Sequence, residues 1–156
     1  KMDQGSTFRL SMNLPVYIEV EQKKKAIVEL DFDFEEGIKI LLVDDNEMNR
    51  MMARAILERK KFVVDEAVDG KEAIVQLEAN EYAVVLMDIM MPEMDGLEAT
   101  GVIRNELKLA VPIIALTANA IKGDGQKCLD AGMQGYLSKP YSPNQLYEVI
   151  SANLCK

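Results

Sequence analysis

The chain has 156 residues, of which 49% are hydrophobic, enough for one domain with a substantial core and a short appendage. A net charge of −8, from 26 acidic and 18 basic residues, argues against a nucleic-acid-binding surface, which needs clustered Lys and Arg. There is no histidine, which excludes a Ser-His or Cys-His nucleophilic pair, a histidine metal site and a phosphohistidine. Any chemistry must come from carboxylates, hydroxyls, lysine and a bound metal.

The cysteines and the hydropathy pattern indicate the redox state of the protein and its relation to membranes. Cys128 and Cys155 lack the spacing of metal ligands, which favours a reduced protein with two incidental thiols. No apolar run approaches the roughly 18 residues that a membrane span needs, and no signal peptide is visible. We therefore expect no membrane contact from this chain. Lys1 in place of an initiating Met suggests a fragment of a longer protein.

Residues 1–36 differ from the remainder, because short polar–apolar alternations replace long apolar runs. Such alternation predicts half-buried strands at residues 7–14, 16–20 and 26–34. The last two would form a β-hairpin around a basic turn at residues 22–25, and a hinge follows at residues 35–37. This segment has too little apolar surface to fold alone. We predict an N-terminal extension or linker over residues 1–36 and a separate domain over residues 37–156.

Strand and helix patterns alternate five times after the hinge. Apolar runs predict strands at residues 38–43, 62–67, 83–87, 112–117 and 135–138. Each is followed by helical spacing, and these helices end near residues 60, 80, 107, 131 and 153. This alternation implies right-handed crossovers, and therefore an α/β fold with a parallel sheet and helices on both faces.

Local signals place several helix boundaries. Asp69 with Glu72, and Asp95 with Glu98, have the spacing of capping boxes at the second and third helices. Gly132 is expected to end the fourth helix. For the first helix, the spacing predicts an inner side made of Met52, Ile56 and either Ala53 or Leu57, and an outer side that carries Met48 and Met51.

Chemically useful side chains follow the carboxyl ends of the predicted strands. Asp44 and Asp45 follow the first strand, Asp88 the third, Thr117 the fourth and Lys139 the fifth. In a parallel sheet these ends share one edge, where open α/β sheets bind their ligands. Clustered carboxylates need a cation, and oxygen ligands suit Mg²⁺, which keeps positions open for phosphate. With a lysine and a hydroxyl beside it, this set predicts phosphoryl transfer to a carboxylate.

These residues, in this order and spacing, resemble the receiver domain of two-component response regulators. The resemblance covers residues 38–154 and includes the loop 91–96 after Asp88, Thr117-Ala118 and Lys139-Pro140. Segments 115–120 and 136–140 are most similar to receivers attached to hybrid sensor histidine kinases. The resemblance implies a doubly wound, flavodoxin-like (βα)5 fold whose five-stranded parallel sheet has the order 2-1-3-4-5.

The resemblance also implies a role for each residue of the set. Asp88 would accept the phosphoryl group, and Lys139, through a cis bond to Pro140, would pair with the acyl phosphate. Thr117 would bond a phosphoryl oxygen and move toward it, while Tyr136 is the switch aromatic that turns inward.

A magnesium site is part of the same resemblance. Asp45, Asp88 and the backbone carbonyl of Met90 would bind Mg²⁺ directly, and Asp44 would act through a bound water.

The implied partners are a phosphohistidine-bearing kinase domain or a histidine phosphotransfer domain, and no nucleic acid. The domain would catalyse its own phosphorylation and dephosphorylation, although the chain lacks kinase catalytic elements and the parent protein would be the histidine kinase. The implied location is cytoplasmic, whether or not the parent protein is membrane-anchored. Weak homodimers through the fourth and fifth helices stay open.

Two alternatives compete with this interpretation. A Mg²⁺-dependent phosphatase of the haloacid dehalogenase type also uses a strand-end Asp, but it needs a second Asp where Met90 stands. A receiver used only for docking is the other alternative, and the complete set of Asp, Thr and Lys argues against it.

Three smaller features have open or weaker interpretations. Met48 and Met51 are either scattered surface residues, which we favour, or a soft apolar patch for a helical phosphodonor. Gly123 and Gly125 indicate either a late-starting helix or a mobile face that responds to Asp88. Segment 5–10, with Leu14-Pro15, resembles the last strand of a histidine kinase ATP-binding domain, although a glycine of that family is missing near Asp3.

Overall fold

The computed structural model describes residues 32–118 and 124–154, so the strands predicted before residue 32, and with them the hairpin, lie almost wholly outside the described residues. Strands and helices alternate along this part of the chain, as the sequence predicts. Their bounds are β1 (Lys39–Val43), α1 (Glu47–Glu58), β2 (Val63–Ala67), α2 (Gly70–Ala79), β3 (Val84–Asp88), α3 (Gly96–Asn105), β4 (Ile113–Thr117), α4 (Asp124–Asp130), β5 (Gly135–Ser138) and α5 (Pro143–Leu154).

The strands form one parallel sheet in the order β2-β1-β3-β4-β5, which confirms the order that the resemblance implies. Asp88 pairs with Leu116, and Thr117 pairs with Ser138, so the carboxyl ends of β3, β4 and β5 lie at the same level of the sheet. The residues that follow these strands therefore converge at one edge of the sheet.

Alternate residues of the central strands belong to two hydrophobic cores, one on each face of the sheet. Leu41 and Met87 contribute to the core beneath α2, α3 and α4, whereas Leu42 and Leu86 contribute to the core beneath α1 and α5. All four side chains are fully buried. Each stabilises the fold by about 1.5–3 kcal/mol, so the sheet is a rigid platform for the groups at its edge.

The start of α3 lies directly against the end of β3. Asp95 caps this helix by accepting a hydrogen bond from the Glu98 amide at 2.8 Å, and the Gly96 amide donates to the Ile89 carbonyl at 3.1 Å. A Cβ on Gly96 would lie 2.2 Å from the Asp88 carbonyl oxygen, so only glycine allows this approach. The predicted cap at Asp69 is also present, and Gly132, at a φ of +96°, follows the end of α4.

The inner side of α1 is narrower than predicted. Ala53 and Leu57 are buried and Ile56 is partly buried, but the placement of Met52 on the inner side is wrong, since 61% of it is exposed. Met52 lies one residue before Ala53, which turns it about 100° away from the buried stripe. With Ile56, it instead lines an open groove beside Tyr141.

An aromatic cluster joins the segment before β1 to the domain. The Phe34 ring lies 4.7 Å from that of Phe62, and both Phe32 and Phe34 lie close to Tyr147 of α5. This contact is at the end of the sheet where β1 begins. No helix in the described ranges is long and apolar enough to span a membrane.

Candidate functional site

The predicted strand-end residues meet around one lysine ammonium group. Lys139 Nζ donates to Asp44 Oδ2 at 2.6 Å and to Asp88 Oδ2 at 2.7 Å. Asp44 and Asp88 are buried, with only 1% and 8% of each residue exposed. The peptide bond between Lys139 and Pro140 is cis, as the resemblance implies. Lys139 thus bridges two buried carboxylates that come from different strands.

Asp45 completes an acidic group with the same two residues. Carboxylate oxygens of Asp44, Asp45 and Asp88 all lie within 4.8 Å of one another. Asp45 is exposed, so the group is open to solvent on one side. Met90 is 78% exposed, and its amide donates to Asp88 Oδ1 at 3.3 Å. Three carboxylates this close, with hard oxygen donors and an open side, fit a small divalent cation.

Burial and charge act on the two central groups in opposite ways. Burial raises the pKa of Asp88 above its ordinary value, and the charge of Asp44 adds to this, while the hydrogen bond from Lys139 opposes it. Burial by itself would lower the pKa of Lys139, but its hydrogen bonds to Asp44 and Asp88 outweigh burial and raise it. The lysine therefore remains charged beside the carboxylates.

Thr117 and Tyr136, the predicted switch residues, lie on the neighbouring strands β4 and β5. Thr117 is buried at the end of β4, and its carbonyl accepts the Lys139 amide at 2.7 Å. Tyr136 is 45% exposed on β5, and its ring lies beside Gly125 of α4.

Two residues of α1, Asn49 and Arg50, contribute to the site although no sequence pattern predicted them. The Asn49 amide donates to Asp44 Oδ1 and Oδ2 at 3.1 and 3.3 Å. Arg50 Nη1 donates to the Asp44 carbonyl at 2.7 Å, and Arg50 Nε donates to Glu66 at 3.1 Å. A polar Asn on the first turn of a helix that follows a strand-end Asp is the pattern that could have identified Asn49.

The family described as "Response regulator receiver domain" matches residues 40–151. The chain belongs to this family. As a receiver domain it is a phosphoacceptor of two-component signalling, and the acidic pocket described above is the corresponding feature of its structure.

Its relatives include receivers of hybrid sensor kinases. The chain is 41% identical to hybrid signal transduction histidine kinase I of Dictyostelium discoideum over 76% of the chain. It is 37% identical to the aerobic respiration control sensor protein ArcB of Escherichia coli strain K12 over 94% of the chain. The chain spans only 7% and 19% of the lengths of these two proteins.

A solved structure supports the same assignment. The receiver domain of the sensor histidine kinase PA1611 from Pseudomonas aeruginosa PAO1 superposes with a TM-score of 0.72 at 40% identity. The match covers 77% of this chain and 99% of that one. The PA1611 receiver was solved with a magnesium ion coordinated in its active-site cleft.

Proposed function

We propose that this receiver domain takes a phosphoryl group from a phosphohistidine onto Asp88. The observation that carries the proposal is the bridge that Lys139 Nζ makes between Asp44 and Asp88. An ammonium group at the carboxylate that reacts can transfer its hydrogen bond to an incoming phosphoryl oxygen without moving far. Such positioning and charge neutralisation are the main contributions that a protein makes to phosphoryl transfer.

In the proposed step, an oxygen of Asp88 attacks phosphorus in line with the phosphorus–nitrogen bond of the donor. That bond breaks as the new phosphorus–oxygen bond forms, and the imidazole leaves with the electron pair. Lys139 donates to the phosphoryl group, and Asp44 fixes the lysine from its other side. The product is an aspartyl phosphate, which the domain passes on or hydrolyses.

The acidic group is proposed to hold Mg²⁺. Asp45, Asp88 and the backbone carbonyl of Met90 would be its direct ligands, and Asp44 would act through a bound water. When bound, the ion supplies positive charge that offsets the repulsion between the carboxylates and the transferring phosphoryl group. The close approach of the three carboxylates supports this assignment.

We propose further that Thr117 and Tyr136 form the switch. Thr117 bonds a phosphoryl oxygen and moves toward Asp88, and the Tyr136 ring turns inward behind it. The partners are then a phosphohistidine-bearing kinase domain or a histidine phosphotransfer domain, and the parent protein is a hybrid kinase.

Intact mass after incubation with Mg²⁺ and acetyl phosphate tests the proposal. Wild type is expected to gain one phosphoryl group, and chelation of Mg²⁺ is expected to prevent the gain. Asp88→Asn keeps the side-chain shape but removes the nucleophile, so no gain is expected. A wild type that gains no mass, and also fails to bind beryllofluoride, would favour a docking-only receiver.

A further inference from the structure

Asn49 has an unusual relationship to the acidic pocket, because its amide group contacts both oxygens of one carboxylate. It lies in the first turn of α1 and donates to Asp44 Oδ1 at 3.1 Å and to Oδ2 at 3.3 Å. Asn is a poorer helix former than Ala, so helix propensity does not explain its presence there. Its contacts point to a role at Asp44.

The Asn49 amide completes the set of donors around Asp44. Asp44 Oδ1 also accepts a hydrogen bond from the Asn46 backbone amide at 2.9 Å, and Asp44 Oδ2 also accepts one from Lys139 Nζ at 2.6 Å. Asp44 is almost fully buried, with carboxylate oxygens of Asp45 and Asp88 nearby. Among these donors, the backbone amide is fixed by the fold and the lysine is shared with Asp88. Among the described donors, Asn49 is therefore the side chain that Asp44 does not share with a second carboxylate.

We infer that Asn49 is a positioning residue of the phosphoacceptor site. It fixes the plane of the Asp44 carboxylate, and through Asp44 it sets the position of Lys139 and the shape of the cation site. The inference deepens the proposed function and relies on it for the role of the cation. Partners that orient the direct ligands of a metal affect its affinity by about 10–100-fold when they are removed. Because Asp44 acts through a water, the effect of Asn49 is expected at or below the lower end of that range.

Calorimetric titration of the full chain with Mg²⁺, without a phosphodonor, tests this inference on Asn49→Ala. Mg²⁺ binding is expected to weaken by up to about tenfold, since the Asp44 carboxylate, which acts through a water, loses the hydrogen bonds from the Asn49 side chain. Ala suits a helix better than Asn, so the variant is expected to fold, which circular dichroism checks. Met48→Ala is the matched control, because Met48 shares the same turn and is 61% exposed. The control is expected to bind Mg²⁺ like wild type.

A second readout separates positioning from a general defect. With acetyl phosphate, Asn49→Ala is expected to be slow at limiting Mg²⁺ and to approach wild type when Mg²⁺ is saturating. Unchanged Mg²⁺ affinity in Asn49→Ala would overturn the inference. If wild type gained no phosphoryl group, the proposed function would fail, but the calorimetric comparison would still decide the role of Asn49.

An independent observation concerns Gly125, the second residue of α4. A Cβ at this position would lie 2.9 Å from Cε1 and 3.0 Å from Cζ of the Tyr136 ring. The ring thus occupies the space that any other side chain at residue 125 would need. Tyr136 is paired with Ala115 of β4, and Thr117 lies two residues further along that strand, so all three side chains are on the same sheet face.

We propose that Gly125 is a second positioning residue, which makes room for the outward position of the Tyr136 ring. This also rests on the proposed function, since it concerns the switch. A methyl group at residue 125 would lie about 3 Å from the ring at its observed position, so the ring must shift. In the proposed switch, the other position of the ring is inward, beside Thr117. Gly125→Ala is therefore expected to shift the ring inward before any phosphorylation.

Fluorine NMR of 3-fluorotyrosine-labelled protein tests this second proposal, with the Tyr136 signal assigned through Tyr136→Phe. In Gly125→Ala, the signal is expected to move toward its position in beryllofluoride-bound wild type. Gly101→Ala is the control, because a Cβ there would meet no described atom within 4 Å. A signal that stays at the wild-type position, or moves the other way, would overturn the proposal. The proposal would also be overturned if beryllofluoride binding did not move the Tyr136 signal of wild type. The fluorine signal of bound beryllofluoride reports its binding separately.

Discussion

Opposite edges of the sheet each contain a partly buried cation, but the two cations have different acceptors. At the carboxyl edge, Lys139 donates to the carboxylates of Asp44 and Asp88. At the other edge, the acceptors of Arg104 of α3 within residues 32–118 and 124–154 are all uncharged. Its guanidinium donates, at 2.7–3.0 Å, to the carbonyl groups of Leu109, Val111 and Gly132 and to the side-chain oxygen of Gln134.

The difference fits the proposal that the carboxyl edge is the one that reacts. Burial lowers the pKa of Arg104, and no carboxylate in the described part of the chain offsets this, so its acceptors satisfy the guanidinium without neutralising it. The backbone acceptors lie in the segments that enter β4 and β5, which the fold fixes. Lys139 holds ionised side chains that a phosphoryl group can replace as acceptors. A cation with exchangeable anionic partners suits chemistry, whereas a cation saturated by backbone groups suits stability.

The largest effect is expected from Lys139→Met. Loss of the ammonium group should slow phosphorylation by acetyl phosphate by about 10²–10³-fold, as removal of one charge-stabilising donor does in other active sites. The rate comes from a time course of intact mass at saturating Mg²⁺. A rate close to that of wild type would show that the bridge between the carboxylates is not part of the reaction.

Arg104→Met should give the opposite result. The free energy of unfolding is expected to fall by about 2–3 kcal/mol, because several partly buried acceptors lose their donor together. Urea denaturation measures this change, and the phosphorylation rate at a temperature where the variant is folded should match that of wild type. A slowed reaction in the folded variant would contradict the division between the two edges.

Phe34→Ala tests, with an apolar contact, the same division between a reactive and a stabilising edge of the sheet. The Phe34 ring packs 4.7 Å from that of Phe62, but it is only partly buried. We therefore expect a loss of about 1–2 kcal/mol in unfolding free energy, less than for a fully buried Phe. Phosphorylation should be unaffected in the folded protein. Denaturation and the mass assay together check both parts of the expectation.

The effect that is smallest at neutral pH concerns Tyr82, because it is seen only at alkaline pH. Burial, together with the hydrogen bond to Asp65, raises the pKa of Tyr82 from 10.0 to about 12. Because the folded state holds this proton more tightly, the stabilisation is complete below pH 10 and is lost as pH rises through 12. Tyr82→Phe should remove this part of the pH dependence. Across that range, the urea midpoint of wild type should fall relative to the midpoint of the variant. Parallel curves would contradict the assignment.

The sequence predicted the fold and the acidic group because both depend on local patterns. Buried strands end at Asp44, Asp88 and Lys139, and a parallel sheet brings such ends together. Met52 was misplaced because exposure at the margin of a helix depends on which neighbours cover it. The roles of Asn49 and Arg104 depend on hydrogen bonds whose acceptors are set by tertiary packing, and no spacing in the sequence identifies these acceptors.

Chemical mapping of the phosphoryl group tests the central claim most directly. Borohydride reduces an aspartyl phosphate to homoserine, and peptide mass spectrometry then locates the converted residue. The proposed function predicts conversion at Asp88 in wild type phosphorylated with Mg²⁺ and acetyl phosphate. Conversion at Asp44 or Asp45, or phosphorylation without any conversion, would contradict it.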